Sequence, residues 1–312
     1  MVTAITAMSA MLTSITASAA TAIENEDSLQ VVTYNYMTKT EQIDTLNRAS
    51  HMTAMEADLN TENLEDISIT EAYNPGLTDA RSATSTFSII GDDDQDEVDP
   101  NVFPYSAVLC LRLGQDTNGD GVTDSWGLGT GFLEGYDVMA TAGHCFWGGS
   151  TNGWVEECRI YTRQDSSTFG TEYYYPLSWT CATEYINNRD WNYDWCAVTL
   201  QDNLGSANGW FGKGCSSGSI ADTDVTISGY PAETASKIGH QYTHSGTVSS
   251  STEYRANYSI DTEGGNSGSP VYDENGIVWA IHTHGGNSGA RITSWLYDIL
   301  QNKYLEGVEK WG

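Results

Sequence analysis

Short apolar segments separated by Gly, Asn and Asp turns dominate this chain from residue 105 to about residue 292. Helical spacing of apolar residues is scarce before the C-terminus, whereas Trp and Tyr, which favour strands, are abundant. Such runs predict β-strands, and several strands in each half of the region predict two small β-barrels. We therefore predict an all-β fold with strands at 105–113, 131–141, 195–200, 224–229, 277–282 and 290–293.

The C-terminal segment 293–304 carries a helical pattern instead. Its apolar residues recur at the spacing of one helix face, and Thr293 or Ser294 supplies a hydroxyl for the N-cap. The sequence therefore predicts an amphipathic C-terminal helix whose apolar face consists of Trp295, Leu296, Ile299, Leu300 and Tyr304.

Composition limits the class of protein and its partners. The 312 residues are 39% hydrophobic and 11% aromatic, enough for one large two-lobed domain with short extensions. The net charge of −29 argues against nucleic-acid binding, which needs a basic face, and against adsorption to anionic membranes. We expect a soluble monomer outside the cell.

The N-terminal part divides by composition. Residues 1–22 are small and mildly apolar and end in an Ala-rich sequence, as a signal peptide does. The positively charged n-region of a signal peptide is missing, so a polar N-terminal extension is the alternative. Residues 23–87 are polar, acidic and cysteine-free, as in a propeptide or linker. Residues 88–312 form the predicted folded domain, with barrel one at about 100–202, barrel two at about 205–292 and the helix at 293–304.

The cysteines form an even set without paired CxxC spacing, which argues against zinc fingers. In an exported protein, such a set more often forms disulfides, although their connectivity is not readable. Six buried, reduced thiols are the alternative. The residues are Cys110, Cys145, Cys158, Cys181, Cys196 and Cys215.

A serine within GGNSGSP (264–270) and a histidine within TAGHC (141–145) carry the predicted chemistry. Glycines around Ser267 allow a turn that points the N–H groups of Gly265 and Ser267 at one spot beside the hydroxyl. Such donors stabilise an oxyanion by roughly 3–4 kcal/mol each. His144 follows an apolar strand, and a rigid strand can direct the imidazole into a cleft. There the imidazole can act as the general base that the serine hydroxyl needs. An ordinary turn and a core histidine are the alternatives.

An aspartate between these two motifs supplies the third member of a catalytic triad. Asp194 immediately precedes an apolar strand, where a buried carboxylate is costly unless it has a partner such as imidazole Nδ1–H. Asp190 is the competing residue. Asp194 is the better candidate because the apolar strand follows it directly.

The order His, Asp, Ser is that of the chymotrypsin class. TAGHC, the strand entry after Asp194 and GGNSGSP resemble trypsin-fold proteases, and the closer resemblance is to bacterial glutamyl endopeptidases. It covers roughly residues 88–300 and implies two six-stranded antiparallel β-barrels with the active site in the crevice between them. The segments that carry it are SIIGDDD with PYSAV, TISGYP (226–231), HSG (244–246), DTEGGNSGSP (261–270) and AIHTHGG (280–286).

The resemblance implies a secreted serine endopeptidase, made as a precursor, that cuts after glutamate, with aspartate left open. The family's pocket residues match Thr262 and His282 here, and His284 is a weaker candidate on the same strand face. Asp261 stands where trypsin-like enzymes carry a pocket aspartate, so spacing also allows a Lys or Arg pocket. A binding or adhesion protein of the same fold and an esterase are the alternative functions.

Two positions depart from the family pattern. Gly129 stands where relatives have a cysteine that bridges the TAGHC cysteine, so Cys145 needs another partner or has none. Cys110, on the neighbouring first strand, is the candidate partner. Asn266 replaces the aspartate that pairs with the new N-terminus in trypsin activation. Processing near Ser88 is still implied, and the candidate cleavage points upstream are Arg81 and Phe87.

The segment DTNGDGVTDSWG (116–127) has the spacing of a calcium loop. Its twelfth position is Gly127 rather than glutamate, which predicts weak affinity, and a hairpin tip is the alternative. The calcium would be structural, since the proposed chemistry needs no cofactor. The predicted ligands are Asp116, Asn118, Asp120, the carbonyl of Val122 and Asp124.

Overall fold

The computed structural model describes residues 28–47, 67–80, 95–120, 122–148, 153–284 and 287–312. The predicted signal peptide 1–22 and the predicted processing region with Arg81, Phe87 and Ser88 lie outside these residues. The strands are β1 Ser28–Asn35, β2 Thr40–Asn47, β3 Ile67–Ile69, β4 Asp96–Glu97, β5 Val108–Gln115, β6 Ser125–Leu133, β7 Val138–Thr141, β8 Trp147–Gly148, β9 Gly153–Trp154, β10 Glu157–Thr162, β11 Pro176–Ala182, β12 Cys196–Leu200, β13 Gly212–Ser216, β14 Asp224–Gly229, β15 Tyr242–Ser251, β16 Arg255–Tyr258, β17 Pro270–Tyr272, β18 Ile277–His284 and β19 Ser288–Arg291. The helices are α1 Gly143–Phe146, α2 Thr183–Asn188, α3 Gly205–Asn208 and α4 Ser294–Trp311.

Barrel one is built from six antiparallel strands in the order β10-β5-β6-β7-β12-β11. Its two ends approach where Ile160 of β10 and Tyr174, just before β11, exchange backbone hydrogen bonds of 2.9 and 2.8 Å. Inward-facing aliphatic side chains, such as Leu109, Leu133 and Val198, share one face of the sheet and are fully buried inside it. Burial of this apolar surface is the main term that stabilises the barrel.

Barrel two is a closed ring in the order β17-β14-β15-β16-β19-β18, with β18 pairing back to β17. Strand β13 adds to β18 in parallel, and β3 adds to β13. A second, smaller cluster of buried side chains, including Val248, Ile260 and Val271, fills this ring. The predicted all-β fold with two barrels and a C-terminal helix is therefore confirmed.

The predicted strand 131–141 is wrong in one respect, because it is two strands. β6 ends at Leu133 and β7 begins at Val138, and the two pair as a hairpin. The intervening Glu134–Asp137 segment holds a Glu-Gly-Tyr-Asp turn that interrupts an otherwise apolar run.

Residues 28–47 contribute to the folded core, although their composition is that of a propeptide or linker. β1 pairs with β11 and β2 pairs with β1, so the hairpin extends the sheet of barrel one. Val31 is 3% exposed and Tyr34 is 9% exposed, and the Tyr34 ring stacks on Trp179 at 4.7 Å between centroids. A role for this segment as a propeptide stays a prediction.

Helix α4 begins where the sequence places it but ends later than residue 304. The Thr293 hydroxyl accepts the Leu296 N–H as an N-cap. At the other end, Asp137 of barrel one accepts hydrogen bonds from Lys310 Nζ at 3.2 Å and Trp311 Nε1 at 2.8 Å. Tertiary contacts thus extend the helix by anchoring its last turns. Among the described helices, α4 included, none is apolar enough over a sufficient length to cross a bilayer.

All six cysteines lie in the described part of the chain, and they form no disulfide in this structure. The predicted bridge between Cys145 and Cys110 is not formed. Cys145 Sγ instead lies 3.6 Å from the carbonyl oxygen of Ser267. Cys181 and Cys196 are direct register partners on β11 and β12.

Candidate active site

The two predicted members of the triad from barrel one are in direct contact. β7 ends at Thr141 and α1 begins at Gly143, so His144 lies in the first turn after the strand. Its backbone N–H donates to Asp194 Oδ1 at 2.8 Å, and its Nδ1 lies 2.8 Å from Asp194 Oδ2. Asp194 is fully buried, and both its oxygens are engaged by this one residue. The contact holds the imidazole with Nδ1 facing the carboxylate.

Asp190, the competing aspartate, has a local structural role. Its carboxylate accepts the N–H of Asn192 at 3.0 Å and caps the 3-10 turn Trp191–Tyr193 that leads into Asp194. The structure therefore favours Asp194 as the partner of the imidazole.

The environment of His144 changes its proton affinity. Burial lowers its pKa, but the charge and the hydrogen bond of Asp194 outweigh burial, and the net pKa is raised above its ordinary value of 6.5. A more basic imidazole is a better proton acceptor once it is neutral. The carboxylate also stabilises the imidazolium that forms when a proton is taken up.

The loop around Ser267 needs glycine at two positions. Gly265 has φ +99° and Gly268 has φ +90°, in the left-handed region that side chains disfavour. A Cβ at Gly265 would lie 2.4 Å from the Tyr230 carbonyl oxygen, and one at Gly268 would lie 2.0 Å from the Thr130 carbonyl oxygen. Neither position 265 nor position 268 can therefore hold a larger residue while the loop keeps the conformation that presents Ser267.

Thr130 of barrel one holds this loop of barrel two, a role that sequence reasoning missed. Its N–H donates to the Ser267 carbonyl and its Oγ1 donates to the Gly265 carbonyl, both at 2.8 Å. The Thr141 hydroxyl in turn donates to the Thr130 carbonyl at 2.7 Å. Because Thr141 begins TAGHC, this chain of bonds places the serine loop beside the turn that carries His144. No sequence signal distinguishes Thr130 from other strand threonines.

The proposed oxyanion donors are available for a substrate. Within the described residues, the amides of Gly265 and Ser267 make no hydrogen bond to a backbone acceptor. Unpaired amides beside the hydroxyl are what an oxyanion site requires.

Thr262 and His282, the predicted pocket residues, are linked through two residues that sequence reasoning missed. His282 is 2% exposed, and its Nδ1 lies 2.7 Å from the hydroxyl of Tyr258, itself 3% exposed. The Tyr258 N–H donates to the Asn287 carbonyl, and the Thr262 hydroxyl donates to Asn287 Oδ1 at 3.2 Å. The structure thus gathers Thr262, His282, Tyr258 and Asn287 at one end of barrel two. The side chain of His284 lies outside the described part.

Asp261, which spacing left open as a site for Lys or Arg, lies beside His244. Its N–H donates to His244 Nδ1 at 2.9 Å, and its Oδ2 lies 3.9 Å from the same nitrogen. Because Nδ1 accepts the backbone N–H, it carries no proton for the carboxylate, so this contact does not decide between the two kinds of pocket.

Arg255 crosses between the two barrels and is a further residue that the sequence did not indicate. Its Nη1 donates to the carbonyl of Trp191 at 2.6 Å and to the hydroxyl of Thr283 at 3.2 Å. Trp191 begins the turn that ends at Asp194, and Thr283 follows His282. One guanidinium therefore connects the strand of the pocket with the loop of the buried carboxylate.

The predicted calcium loop is organised by its own side chains. Asp116 Oδ1 accepts the N–H groups of Asn118, Gly119 and Asp120 at 3.2, 2.6 and 3.3 Å. Asp124 Oδ1 accepts both the N–H and the hydroxyl of Thr117. These Asx-type bonds are typical of a hairpin tip, and calcium binding here stays a prediction.

The fold and these contacts agree with the class that comparison with known proteins identifies. Residues 129–281 match the model of the trypsin-like peptidase domain. This stretch, which includes His144, Asp194 and Ser267, is similar to trypsin-like peptidase domains.

Two curated relatives come from Bacillus. The chain is 30% identical over 203 residues to a glutamyl endopeptidase of Bacillus licheniformis, covering 63% of this chain and 58% of the relative. It is 29% identical over 193 residues to an extracellular metalloprotease of Bacillus subtilis, covering 59% and 57%. The match thus spans less than three fifths of the length of these relatives.

Solved structures support the same fold. A Glu endopeptidase in complex with MPD is similar with a TM-score of 0.60 and 24% identity, covering 70% of this chain and 100% of that chain. The protease Anisep from Arthrobacter nicotinovorans is similar with a TM-score of 0.52 and 14% identity, covering 69% and 99%.

Proposed function

We propose that this protein is a secreted serine endopeptidase that cuts peptide bonds after glutamate. The observation that carries the proposal is the contact of the partly exposed His144 with the buried Asp194, next to the Ser267 loop that Thr130 holds. Similarity to a glutamyl endopeptidase supports the substrate class, and the name of the extracellular relative supports secretion.

The contacts assign a role to each residue in an acyl-enzyme mechanism. Ser267 Oγ attacks the scissile carbonyl as His144 Nε2 takes its proton, and His144 then protonates the leaving amine. Asp194 holds Nδ1–H and stabilises the imidazolium. The amides of Gly265 and Ser267 bind the oxyanion, and water then hydrolyses the acyl-enzyme by the same steps in reverse.

Selection of glutamate rests on His282 and Thr262. Burial raises the pKa of Tyr258 well above its ordinary value, so its hydroxyl keeps its proton and can donate to His282 Nδ1. With Nδ1 accepting, the proton of a neutral imidazole lies on Nε2, which can donate to a substrate carboxylate. The Thr262 hydroxyl, which donates to Asn287 Oδ1 in the structure, can rotate to become a second donor to the substrate. A charge-assisted hydrogen bond of this kind discriminates by about 1.5–3 kcal/mol.

The test of this function is a comparison of peptide anilides that end in Glu, Asp, Phe or Lys, with fluorophosphonate labelling alongside. Labelling of Ser267 separates an activated serine from a binding or adhesion protein of the same fold. Faster cleavage after Glu supports the pocket. Equal rates for Glu and Phe, or preference for Lys, would contradict the assignment of the pocket residues but not the proposed serine protease activity.

Replacing His282 by Ala is expected to lower kcat/KM for Glu substrates by about 10- to 100-fold, because one charge-assisted donor is lost. The same variant should cut after Phe at nearly the original rate, since the catalytic groups are untouched. Steady-state kinetics on the matched Glu and Phe anilides measure the difference.

Tyr258→Phe is the matched control for this pocket, because it removes the hydroxyl and keeps the ring. We expect a smaller loss of about 2- to 10-fold, confined to Glu substrates, since an ordinary hydrogen bond contributes about 0.5–1.5 kcal/mol. Equal losses for Glu and Phe in both variants, with unchanged thermal unfolding, would show that neither residue selects the substrate.

Activity is expected to fall as pH is lowered through the pKa of His144, with a midpoint above 6.5. Only neutral imidazole accepts the serine proton, and Asp194 raises the pKa in spite of burial, so protonation and inactivation begin at a higher pH than for a free histidine. The pH profile of kcat/KM on a Phe anilide measures this midpoint without an ionising substrate side chain.

The same profile in His282→Ala assigns the ionisation. A midpoint that stays in place belongs to His144, whereas a midpoint that disappears belongs to the pocket histidine and contradicts the prediction.

A further inference from the structure

A cluster of three metal-ligating side chains lies outside the site described above. His240 Nδ1 is 3.0 Å from Glu97 Oε1 and 3.0 Å from Asp165 Oδ1. The three donor atoms all lie within 4.8 Å of one another. Among the described residues, no other set of three His, Cys, Asp or Glu side chains is this compact.

The three residues come from three separate parts of the fold. Glu97 lies on β4, just after the region of predicted processing, while Asp165 follows β10 of barrel one and His240 precedes β15 of barrel two. We propose that Glu97, Asp165 and His240 bind a divalent transition-metal ion of the zinc class, which ties both barrels to the segment that follows the processing region.

The donor set fits such an ion. Imidazole and carboxylate ligands bind zinc at about 2.0–2.2 Å, so tetrahedral donors lie roughly 3.3 Å apart. The two distances of 3.0 Å from His240 are within a few tenths of an ångström of that value. A histidine in the set favours a zinc-class ion over calcium, which prefers oxygen ligands.

Charge also favours a cation at this place. Two carboxylates share one imidazole nitrogen, which carries at most one proton, so a neutral His240 can satisfy only one of them. Lys237 is close in sequence, but its ammonium is directed to Gln95 and to Glu263 at 2.7 and 2.9 Å. A divalent ion would neutralise both carboxylates at once.

Backbone hydrogen bonds hold each ligand in place before any ion arrives. β4 pairs with β15, and the Val98 N–H donates to the Gln241 carbonyl at 3.0 Å, next to His240. The Ser166 N–H donates to the Gly239 carbonyl at 3.0 Å, next to Asp165. Both carboxylates are about half exposed, which leaves room for water as a remaining ligand. Because the ligands are already positioned, binding would cost little reorganisation.

The experiment is a titration of the chelator-treated full chain with Zn²⁺, in the Ser267→Ala background to prevent self-digestion. We expect one ion per chain by calorimetry and a rise in Tm of about 5 °C at a 100-fold excess over Kd. His240→Gln should abolish both effects, and Asp165→Asn should weaken them. Glu274→Gln, at an exposed carboxylate outside the cluster, should leave them unchanged.

Three outcomes would overturn the proposal. A full zinc response in His240→Gln would place the ion elsewhere, for instance on His144. A response to Ca²⁺ but not to Zn²⁺ would contradict the class of metal. Stability that depends on pH but not on any metal would mean that a protonated His240 alone pairs with the two carboxylates. If His240→Gln does not fold, Glu97→Gln and Asp165→Asn provide the same test at exposed positions.

Discussion

Ser267→Ala is expected to lower kcat by about 10⁶-fold, which corresponds to about 8 kcal/mol of transition-state stabilisation. Without the hydroxyl, no acyl-enzyme forms, and only the oxyanion donors and substrate binding remain to assist attack by water. Since the Ser267 carbonyl and not its side chain bonds to Thr130, the loop should keep its structure. Burst-phase and steady-state kinetics measure the loss, and an unchanged Tm serves as the control.

Ser269→Ala is a matched variant within the same motif. The Ser269 hydroxyl is buried and has no partner among the described residues, so its removal should change activity little. Fluorophosphonate labelling should persist in Ser269→Ala and vanish in Ser267→Ala. Labelling that survives the loss of Ser267 would identify another nucleophile and end the proposed mechanism.

Asp194→Asn is expected to lower kcat by about 10⁴-fold while KM changes little. The amide is nearly the same size as the carboxylate, so the fold should tolerate it. Its NH₂ group would donate to His144 Nδ1, which forces the imidazole proton onto Nε2. An Nε2 that already carries a proton cannot accept one from Ser267.

Asp190→Asn provides the comparison for this change. Asp190 caps the turn before Asp194 through its side-chain oxygen, and asparagine is an equally good cap. We expect nearly normal activity from this variant. If Asp190→Asn were as inactive as Asp194→Asn, or if Asp194→Asn kept most of its activity, the assignment of the orienting carboxylate would be wrong.

The sequence predicted the fold well because its strongest signals are local. Strand runs between turn residues, the glycines around Ser267 and the N-cap of the C-terminal helix depend on a few neighbouring residues. The pairing of Asp194 with a histidine was also predictable, since a carboxylate that enters an apolar strand needs a partner. The turn between β6 and β7 was missed because flanking apolar residues concealed it.

The contacts that decide positioning could not be predicted in this way. The bonds from Thr130 to the Ser267 loop and the contact between Tyr258 and His282 join residues on different strands. The docking of residues 28–47 was not predicted because their composition is polar. In the structure, β1 pairs with the edge strand β11 of barrel one, and Tyr34 packs against the ring of Trp179. These features depend on strand register and barrel closure, which no local pattern encodes.

The sequence by itself indicated the residues proposed to carry the chemistry, because the motifs around His144 and Ser267 and the acid before β12 are recognisable without a structure. Only the tertiary structure showed the distance from Asp194 to the imidazole, the local capping role of Asp190, and the approach of Glu97, Asp165 and His240. Side-chain type follows from sequence, whereas distance between segments far apart in the chain follows from how two barrels close and pack.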